Sequence, residues 1–224
     1  MMWIIIIILL LFLIYASANI RSGIYVKTIS RLNTREKQLV LTFDDGPHAG
    51  VTPRILAILA EHNIRAVFFC KGKSIENQPD LVRRIIAGGH RIGNHTMNHS
   101  PWFPFYSSPK MKKEIADCQA LIDSFPQVET NRIFRPPFGV TNPNLKTALK
   151  DSGYQVIGWD IRSLDTTKLP PGFLFKRIIR RIKPGSIFLF HDTMPQTPEI
   201  LERVINFASE NGFSFVSTNK NINR

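Results

Sequence analysis

From residue 38 onward, short apolar runs alternate with longer segments in which apolar residues recur at helical spacing. Several runs are apolar on both faces, which is typical of strands buried in a parallel sheet. The pattern predicts seven strands, at QLVLTF (38–43), RAVFFC (65–70), HRIGNH (90–95), NRIFRP (131–136), YQVIGWD (154–160), SIFLFHD (186–192) and FSFVST (213–218).

The segments between the strands predict six amphipathic helices, at 53–62, 79–87, 109–125, 143–151, 173–182 and 198–210. Five of the six begin at proline, a residue favoured in the first helical turn because its missing N–H costs nothing there. Strands that alternate with helices form βαβ units. We therefore expect a single α/β domain of seven or eight mostly parallel strands, either open or closed into a barrel.

The first twenty residues, MMWIIIIILLLFLIYASANI, contain no charged side chain. The apolar core from Trp3 to Tyr15 suits a signal peptide, and Ala16-Ser17-Ala18 offers a small-x-small cleavage site. Taken whole, the segment is just long enough to remain as a membrane anchor. The nearest positive charges, Arg21 and Lys27, follow it instead of preceding it.

We expect residues 1–22 to be an N-terminal signal or anchor segment and residues 23–224 to form the catalytic domain. The protein is then exported to the cell envelope, either attached to the membrane through its N-terminal segment or released into the periplasmic or extracellular space. The two cysteines, Cys70 and Cys118, are too few for a disulfide framework or a zinc cluster, so we expect two buried free thiols.

The chain carries 29 Lys and Arg against 17 Asp and Glu, a formal net charge of +12. Such a charge favours a polyanionic neighbour, for which nucleic acid, anionic lipid and acidic cell-wall polymer all qualify. The densest basic run, KRIIRRIK (176–183), has apolar residues at helical spacing. We interpret it as the solvated face of an amphipathic helix.

Polar residues with catalytic potential stand at or just beyond the ends of the predicted strands. They are Asp44, Asp45, His95, His99, Arg135, Trp159, Asp160, His191 and Asp192. The C-terminal ends of the strands of a (β/α) barrel form its active-site face. We therefore expect these residues to form one site.

A metal site is predicted by NHTMNHS (94–100) together with LTFDDGP (41–47). His95 and His99 stand at i and i+4, so a helical turn would let both rings reach one ion. Of the two adjacent aspartates, one can ligate the ion while the other faces its water. Two His and one carboxylate leave open coordination positions, as a catalytic site requires. The alternative is an Asx turn, in which one aspartate caps the backbone before Gly46-Pro47.

Two further segments supply candidate catalytic groups. FRPPFG (134–139) places Arg135 beside a rigid proline pair. Arg135 can orient a carboxylate by a bidentate pair, and the Phe138 N–H can act as an oxyanion donor; the alternative is an ordinary loop with a surface salt bridge. His191 in FLFHDT (188–193) is a candidate general acid whose pKa a carboxylate tunes. Asp165 is the first candidate for that carboxylate and Asp160 the second.

In this order, TFDDGP, HTMNH, RPPFG, WDxxxxD and LFH resemble the five motifs of the polysaccharide deacetylases, carbohydrate esterase family 4. The resemblance spans about residues 38–192. It implies a distorted (β/α) barrel of seven or eight strands. It also implies one divalent metal ion, commonly Zn²⁺ with Co²⁺, Mn²⁺ or Ni²⁺ as alternatives, and removal of acetyl groups from N-acetylated or O-acetylated sugars.

Position by position, the resemblance implies a role for each site residue. These roles are Asp44 as general base, Asp45, His95 and His99 as metal ligands, Arg135 as partner of the base, Phe138 after Pro137 as main-chain oxyanion donor, Asp165 as support for the acid, Leu189 as pocket floor and His191 as general acid. The chain departs from the family at Phe138, where Tyr is more frequent. It also has Thr166 where Trp is frequent, and Trp159 or Trp102 is the candidate for the missing apolar wall.

We therefore expect metal-assisted hydrolysis of acetamides in N-acetylglucosamine of peptidoglycan or of chitin-type oligomers, with acetylated xylan as an O-ester alternative. A metal-dependent phosphohydrolase is a rival, because the Asp pair and His191-Asp192 offer ligands for two metals, although the chain has no Gly-rich phosphate loop. The second rival is an inactive glycan-binding envelope protein. The expected partners are a glycan polymer and an anionic envelope surface, with no nucleic acid.

Overall fold

The computed structural model describes residues 1–126 and 132–217. Its eight strands are β1 (Gln38–Asp44), β2 (Val67–Cys70), β3 (Arg91–Asn94), β4 (Ile133–Phe134), β5 (Gln155–Val156), β6 (Ile161–Arg162), β7 (Ile187–His191) and β8 (Ser214–Phe215). The main sheet has the order β5-β4-β3-β2-β1-β7-β6, β8 adds to β1, and every ladder is parallel. The expected distorted (β/α) barrel of seven or eight parallel strands is confirmed.

Eight α-helices accompany the strands of the described residues. They are α1 (Met2–Ala18), α2 (Thr52–Glu61), α3 (Gly72–Asn77), α4 (Pro79–Ala87), α5 (Ser108–Asp123), α6 (Pro143–Ala148), α7 (Pro171–Ile179) and α8 (Thr197–Glu210). Short 3₁₀ turns occur at Phe103–Phe105 and Pro137–Gly139. In the basic segment, Leu174 and Ile178 of α7 are buried while Lys176 and Arg180 are exposed, so a solvated face does carry the charge.

Alternation along the strands separates the outside of the barrel from its interior. On β1, Leu39, Leu41 and Phe43 pack in the layer between sheet and helices, and Val40 belongs to the interior cluster. Because side chains alternate along the strand, Asp44 faces inward like Val40. On β7, Phe188 and Phe190 pack outward, so Leu189 and His191 face inward.

The stretch just before β1, at residues 29–32, helps to close the barrel. Within the described residues no ladder joins the edge strands β5 and β6. Ile29 instead bridges Ile157, and its N–H donates to the Val156 carbonyl at 2.9 Å. The Leu32 N–H donates to the Gly185 carbonyl at 2.8 Å, just before β7.

Helix α1 meets the domain only through its C-terminal end in the contacts of the described residues. Every side chain from Met1 to Tyr15 is exposed, whereas Ala16 and Ile20 are buried. The Ser17 carbonyl accepts a hydrogen bond from the Thr141 N–H at 3.0 Å. Over residues 1–126 and 132–217, the structure has no helix with both the length and the apolarity needed to cross a bilayer.

The strand predicted at 154–160 is wrong as a single element. Its first part is β5, which pairs with β4; β6 follows at Ile161–Arg162 and pairs with β7 across the barrel. Asp160 marks the change of partner, because its carboxylate accepts hydrogen bonds from Ser186 and from the Ile187 N–H.

Other boundaries differ at helix and strand ends. The helix predicted to begin at Phe173 begins at Pro171, so proline lies in the first turn of this helix as well. Helix α3 and both 3₁₀ turns were not predicted. Strand β4 is only two residues long, and Pro136-Pro137 follow it. Residue 131 of the predicted fourth strand and residue 218 of the last one lie outside the described residues. Cys70 and Cys118 are buried and free, as predicted.

Candidate active site

A pocket of about 230 Å³ opens at the C-terminal ends of the strands. Eight of the predicted site residues line it: Asp44, Asp45, His95, His99, Phe138, Trp159, Leu189 and His191. The other three, Arg135, Asp165 and Pro137, are buried behind this lining. Side chains from five separate strand ends, those of β1, β3, β4, β5 and β7, are thus brought together.

Asp44, the last residue of β1, is held by a buried guanidinium. Its Oδ1 accepts a hydrogen bond from Arg135 Nη1 at 2.7 Å, and the Arg135 side chain is fully buried. The other carboxylate oxygen, Oδ2, lies 3.7 Å from His95 Nε2. One oxygen of Asp44 is therefore tied to the protein interior while the other faces the imidazoles.

Arg135 does not form the expected bidentate pair with a carboxylate. Only Nη1 contacts Asp44, and it also donates to Thr42 Oγ1 at 2.7 Å. Nε and Nη2 donate to the carbonyls of Ile157 and Gly158, at 3.0 and 2.8 Å. The guanidinium, carried by the residue after β4, thus links β1 to the chain just after β5. The carbonyls of Ile157 and Gly158 can accept from it because no backbone N–H of the described residues donates to them. The position of the guanidinium is consequently fixed from several sides.

Asp45, His95 and His99 form a group that fits one cation. One ligand atom from each lies within 4.8 Å of the others. His99 Nε2 is 3.6 Å and His95 Nε2 is 3.9 Å from Asp45 Oδ1. This Oδ1 atom is buried and accepts no hydrogen bond from the described residues. A buried carboxylate oxygen without a donor, facing two ring nitrogens, is what a metal ligand requires before the ion is bound.

The protonation of the group also suits a cation. His95 Nδ1 donates to the Arg135 carbonyl at 2.7 Å, so Nε2 is left with its lone pair directed toward Asp45. Burial, with smaller effects of His95 and Lys71, lowers the pKa of His99 to about 4 despite the opposing charge of Asp45. Burial acts to raise the pKa of Asp45, but His95, His99 and Lys71 outweigh it and lower that pKa. Neutral imidazole and ionised carboxylate are the forms that bind metal.

Helix α5 and the end of β3 hold the loop that carries both histidines. Asn94 donates to the Ile115 carbonyl on α5 at 2.8 Å, and its Oδ1 accepts from the Thr96 N–H. Asn98 donates through its backbone and its side chain to the two carboxylate oxygens of Glu114, at 2.9 and 2.7 Å. The loop is strained, since His99 has φ of 47° and Thr96 has φ of 67°. The contacts with α5 maintain that conformation.

His191 is paired with Asp165 and not with Asp160. His191 Nδ1 donates to Asp165 Oδ1 at 2.8 Å, while Asp165 Oδ2 accepts from the His191 N–H and from Thr197 Oγ1. Burial alone would lower the pKa of His191. The hydrogen bond and charge of Asp165, helped by Asp44 and Asp45, raise that pKa above its ordinary value. His191 therefore retains a proton to higher pH than a free imidazole.

The remaining wall of the pocket is mainly apolar. Phe138 has φ of 60°, is 54% exposed, and its ring lies 4.8 Å from that of His99. Trp159 lines the pocket beside Gly139, where an added Cβ would come within 2.4 Å of the indole. Thr166 is also a lining residue, whereas Trp102 is not. Trp159, one of the two expected tryptophans, thus supplies apolar surface near Thr166.

Sequence reasoning missed several residues at the site. Thr42 and Glu114 have no signal beyond their polarity, since their partners lie far away along the chain. Arg162 lines the pocket as part of β6, which was not predicted. Asp192, next to His191, does not line the pocket. Burial raises its pKa to about 7, and its Oδ2 accepts from Thr52 Oγ1 at 2.7 Å.

A (β/α) barrel that gathers an aspartate pair, two metal-competent imidazoles and a His-Asp pair at one end has the parts of an acid–base hydrolase. Residues 31–157 match the family described as polysaccharide deacetylase. The chain belongs to this family.

Two curated relatives cover most of the chain. It is 29% identical over 210 residues to a chitooligosaccharide deacetylase of Sinorhizobium fredii, covering 88% of this chain and 97% of the relative. It is 31% identical over 190 residues to a peptidoglycan-N-acetylglucosamine deacetylase of Bacillus cereus, covering 83% and 88%.

A solved structure has the same fold. BA3943 of Bacillus anthracis, described as a CE4 family pseudoenzyme, superposes with a TM-score of 0.79 at 25% identity, covering 87% of this chain and 68% of that one. Because a pseudoenzyme shares the fold, the fold alone does not decide activity. The side chains in the pocket carry that argument.

Proposed function

We propose that the protein is a metal-dependent deacetylase that hydrolyses acetamide groups of N-acetylated glycans. The observation that carries this proposal is the Asp45, His95 and His99 group, whose ligand atoms lie within 4.8 Å of one another. The Asp44–Arg135 and His191–Asp165 pairs lie in contact with the same pocket. A base, an acid and a cation site around one cavity are what acetamide hydrolysis requires.

In the proposed reaction, Asp44 accepts a proton from the attacking water, and Arg135 holds the carboxylate in place. The backbone N–H of Phe138 stabilises the oxyanion of the tetrahedral intermediate, a contribution typically worth about 3 to 4 kcal/mol. His191 then donates a proton to the departing amine nitrogen, so that acetate and a free amino sugar are released. When bound, a divalent cation supplies Lewis acidity, which polarises the acetyl carbonyl and makes water a better nucleophile at neutral pH.

We propose Zn²⁺ as the ion that Asp45, His95 and His99 hold. Imidazole nitrogen and carboxylate oxygen are ligands that Zn²⁺ accepts, and three protein ligands leave open positions for water and substrate. Co²⁺, Mn²⁺ and Ni²⁺ bind the same donor types, so availability in the cell also selects the ion.

For the substrate we propose N-acetylglucosamine units of cell-wall peptidoglycan or of chitin-type oligomers. Support comes from the relatives, one described as a peptidoglycan-N-acetylglucosamine deacetylase and one as a chitooligosaccharide deacetylase. The net charge of +12 favours a position near anionic envelope polymer. Acetylated xylan, an O-ester, is the alternative substrate for the same residues.

The two rival functions fit the side chains less well. A phosphohydrolase with two metals would use Asp192, but this carboxylate is buried, accepts from Thr52 and does not line the pocket. Among the described residues, one group of metal-competent side chains is found. An inactive glycan-binding protein would have no need for the buried Asp44–Arg135 and His191–Asp165 pairs.

We also propose that the protein acts outside the cytoplasm and that α1 takes it there. Every side chain from Met1 to Tyr15 is a large hydrophobic one and is exposed, a surface that water disfavours and lipid accepts. The segment then either stays in the membrane or is removed after Ala18.

Acetate release tests the proposed function. The purified chain, loaded with Zn²⁺, is incubated with peptidoglycan, chitotetraose and acetylated xylan, and free acetate is measured. We expect release from at least one of the first two and little from xylan. Hydrolysis of phosphate esters without acetate release would support the phosphohydrolase instead, and glycan binding without any acetate release would support the inactive relative.

A further inference from the structure

Arg162 lines the catalytic pocket next to Leu189. It is the second residue of β6, in register with Leu189 of β7. Residues in register on neighbouring strands face the same side of the sheet, and Leu189 faces inward. Its neighbour Ile161 packs in the outer core cluster, which leaves the inner face to Arg162. The side chain accordingly belongs to the pocket lining.

The other charges in contact with the pocket have partners. Asp44 is paired with Arg135 at 2.7 Å, and Asp165 with His191 at 2.8 Å. Asp45 faces His95 and His99, with Lys71 Nζ at 3.7 Å. In the parts of the chain that the structure describes, the Arg162 guanidinium makes no ion pair and no side-chain hydrogen bond, and the residue is exposed.

Arg177 adjoins Arg162 outside the pocket, and Arg181 is close enough to Arg177 to affect its pKa. Arg177 Nη1 of α7 donates to the Arg162 carbonyl, which ties the end of β6 to the helix. Burial first, and then the charges of Arg181 and Arg162, lower the pKa of Arg177. The positive potential of Arg162 is therefore reinforced instead of neutralised by its neighbours. A guanidinium fork binds a carboxylate well, because both groups are planar and pair through two parallel hydrogen bonds.

We propose that Arg162 binds a carboxylate carried by the glycan beside the acetamide under attack, so that the protein selects acidic N-acetylated glycans over neutral ones. This inference rests on the proposed deacetylase function and assigns a specificity role within the same pocket. The carboxylate comes either from an acidic sugar substituent or from a peptide attached to the glycan. In both cases the acidic group adds binding energy next to the reacting acetamide.

The test compares three substrates at equal acetamide concentration with the Zn²⁺-loaded full chain. Chitotetraose is neutral, peptide-free peptidoglycan strands carry a carboxylate on the sugar, and muropeptides carry additional carboxylates on the peptide. The measured quantity is the ratio of kcat/KM for each acidic substrate to kcat/KM for chitotetraose. We expect a ratio of about ten or more, the factor that a charge-assisted hydrogen bond contributes.

Variants assign the preference to Arg162. Arg162→Gln should lower the ratio about tenfold or more, mainly through KM, and Arg162→Lys should restore part of it. Arg84→Gln removes the same charge from the exposed side of α4 and should leave the ratio unchanged. Thermal melting of each variant verifies the fold.

The outcomes separate the carboxylate sources and the two proposals. A high ratio for peptide-free strands places the carboxylate on the sugar, and a high ratio for muropeptides alone places it on the peptide. A ratio near one for the wild type, or a ratio that Arg162→Gln does not lower, overturns the role of Arg162. Absence of acetate from all three substrates refutes the proposed function itself.

Discussion

Asp44 and Asp45 are neighbours in sequence, yet their environments differ. Asp44 lies on the inner face of β1 and contacts Arg135, whereas Asp45 has φ of 79° and turns its Oδ1 toward two imidazoles. The change of backbone conformation between them separates the two carboxylates. This separation matches the proposed roles, in which Asp44 is the base and Asp45 is a metal ligand.

Asp44→Asn tests this division of roles. The amide has the same shape but cannot accept the proton, so we expect kcat to fall by about 10² to 10⁴ with bound metal unchanged. Acetate release and elemental analysis measure the two quantities. Asp80→Asn on the exposed surface of α4 is the control and should retain full activity. Full activity of Asp44→Asn would exclude Asp44 as the base.

The pH dependence of the reaction tests the His191–Asp165 pair. Because Asp165 raises the pKa of His191, its removal in Asp165→Asn should lower that pKa. The general acid then loses its proton at lower pH, and the alkaline limb of kcat/KM moves to lower pH. Asp160→Asn is the control, since Asp160 contacts Ser186 and Ile187 instead. An alkaline limb that moves in Asp160→Asn but not in Asp165→Asn would contradict the assignment.

At this scale the sequence predicts which side chains meet. Asp44, Asp45, His95, His99 and His191 were expected together because each stands at or just beyond the end of a strand, and all five line one pocket. The partners of Arg135 could not be predicted in the same way. They are backbone carbonyls of residues 157 and 158, and their direction depends on where the chain leaves β5.

Helix α5 supports the candidate metal site without contributing a ligand. Its residue Glu114 accepts two hydrogen bonds from Asn98, one residue before His99. It thereby closes the loop between the two histidines. Contacts of this kind, which orient the ligands of a metal, are typically worth a factor of about 10 to 100 in metal affinity.

Glu114→Ala should therefore weaken metal binding about tenfold or more, because the His95–His99 loop gains freedom. Isothermal titration with Zn²⁺ measures the affinity, and thermal melting of the metal-free chain measures stability. Asp117→Asn on the exposed face of the same helix is the matched control. Equal metal affinity of Glu114→Ala and the wild type would show that α5 does not position the ligands.

The elements that sequence reasoning missed are short ones: β6, α3 and the two 3₁₀ turns. Strand β6 follows β5 after four residues, but their partners β7 and β4 lie on opposite sides of the barrel gap. The apolar pattern of a sequence indicates which residues are buried but not which strand pairs with which. The continuous run at 154–160 therefore predicts one strand. The longer strands β1 and β7 and most helices were predicted to within a few residues.

At the scale of the whole molecule, a charged catalytic domain follows an exposed apolar helix. If α1 takes the chain to the envelope, one of two forms should be recovered from a bacterium that expresses it. The first is the full-length protein in the membrane fraction, and the second is the protein without α1 in the medium. Mass spectrometry of the N-terminus distinguishes the two outcomes.

Charges placed in α1 provide the comparison for this prediction. Ile7→Asp combined with Leu10→Asp should transfer the protein to the cytosolic fraction, because a charged helix leaves lipid. Leu169→Asp, an exposed position in the catalytic domain, is the control and should leave the location unchanged. Wild-type chain found intact in the cytosol would contradict the export proposal.

The measurement that tests the account most directly is metal content and acetate release determined together on one sample. After chelation, the chain should release no acetate. Added Zn²⁺ should restore release in proportion to the bound ion and reach a plateau at one ion per chain, and Asp45→Ala, His95→Ala and His99→Ala should each lose both quantities. Undiminished acetate release from metal-free protein, or a plateau at two ions per chain, would contradict the account.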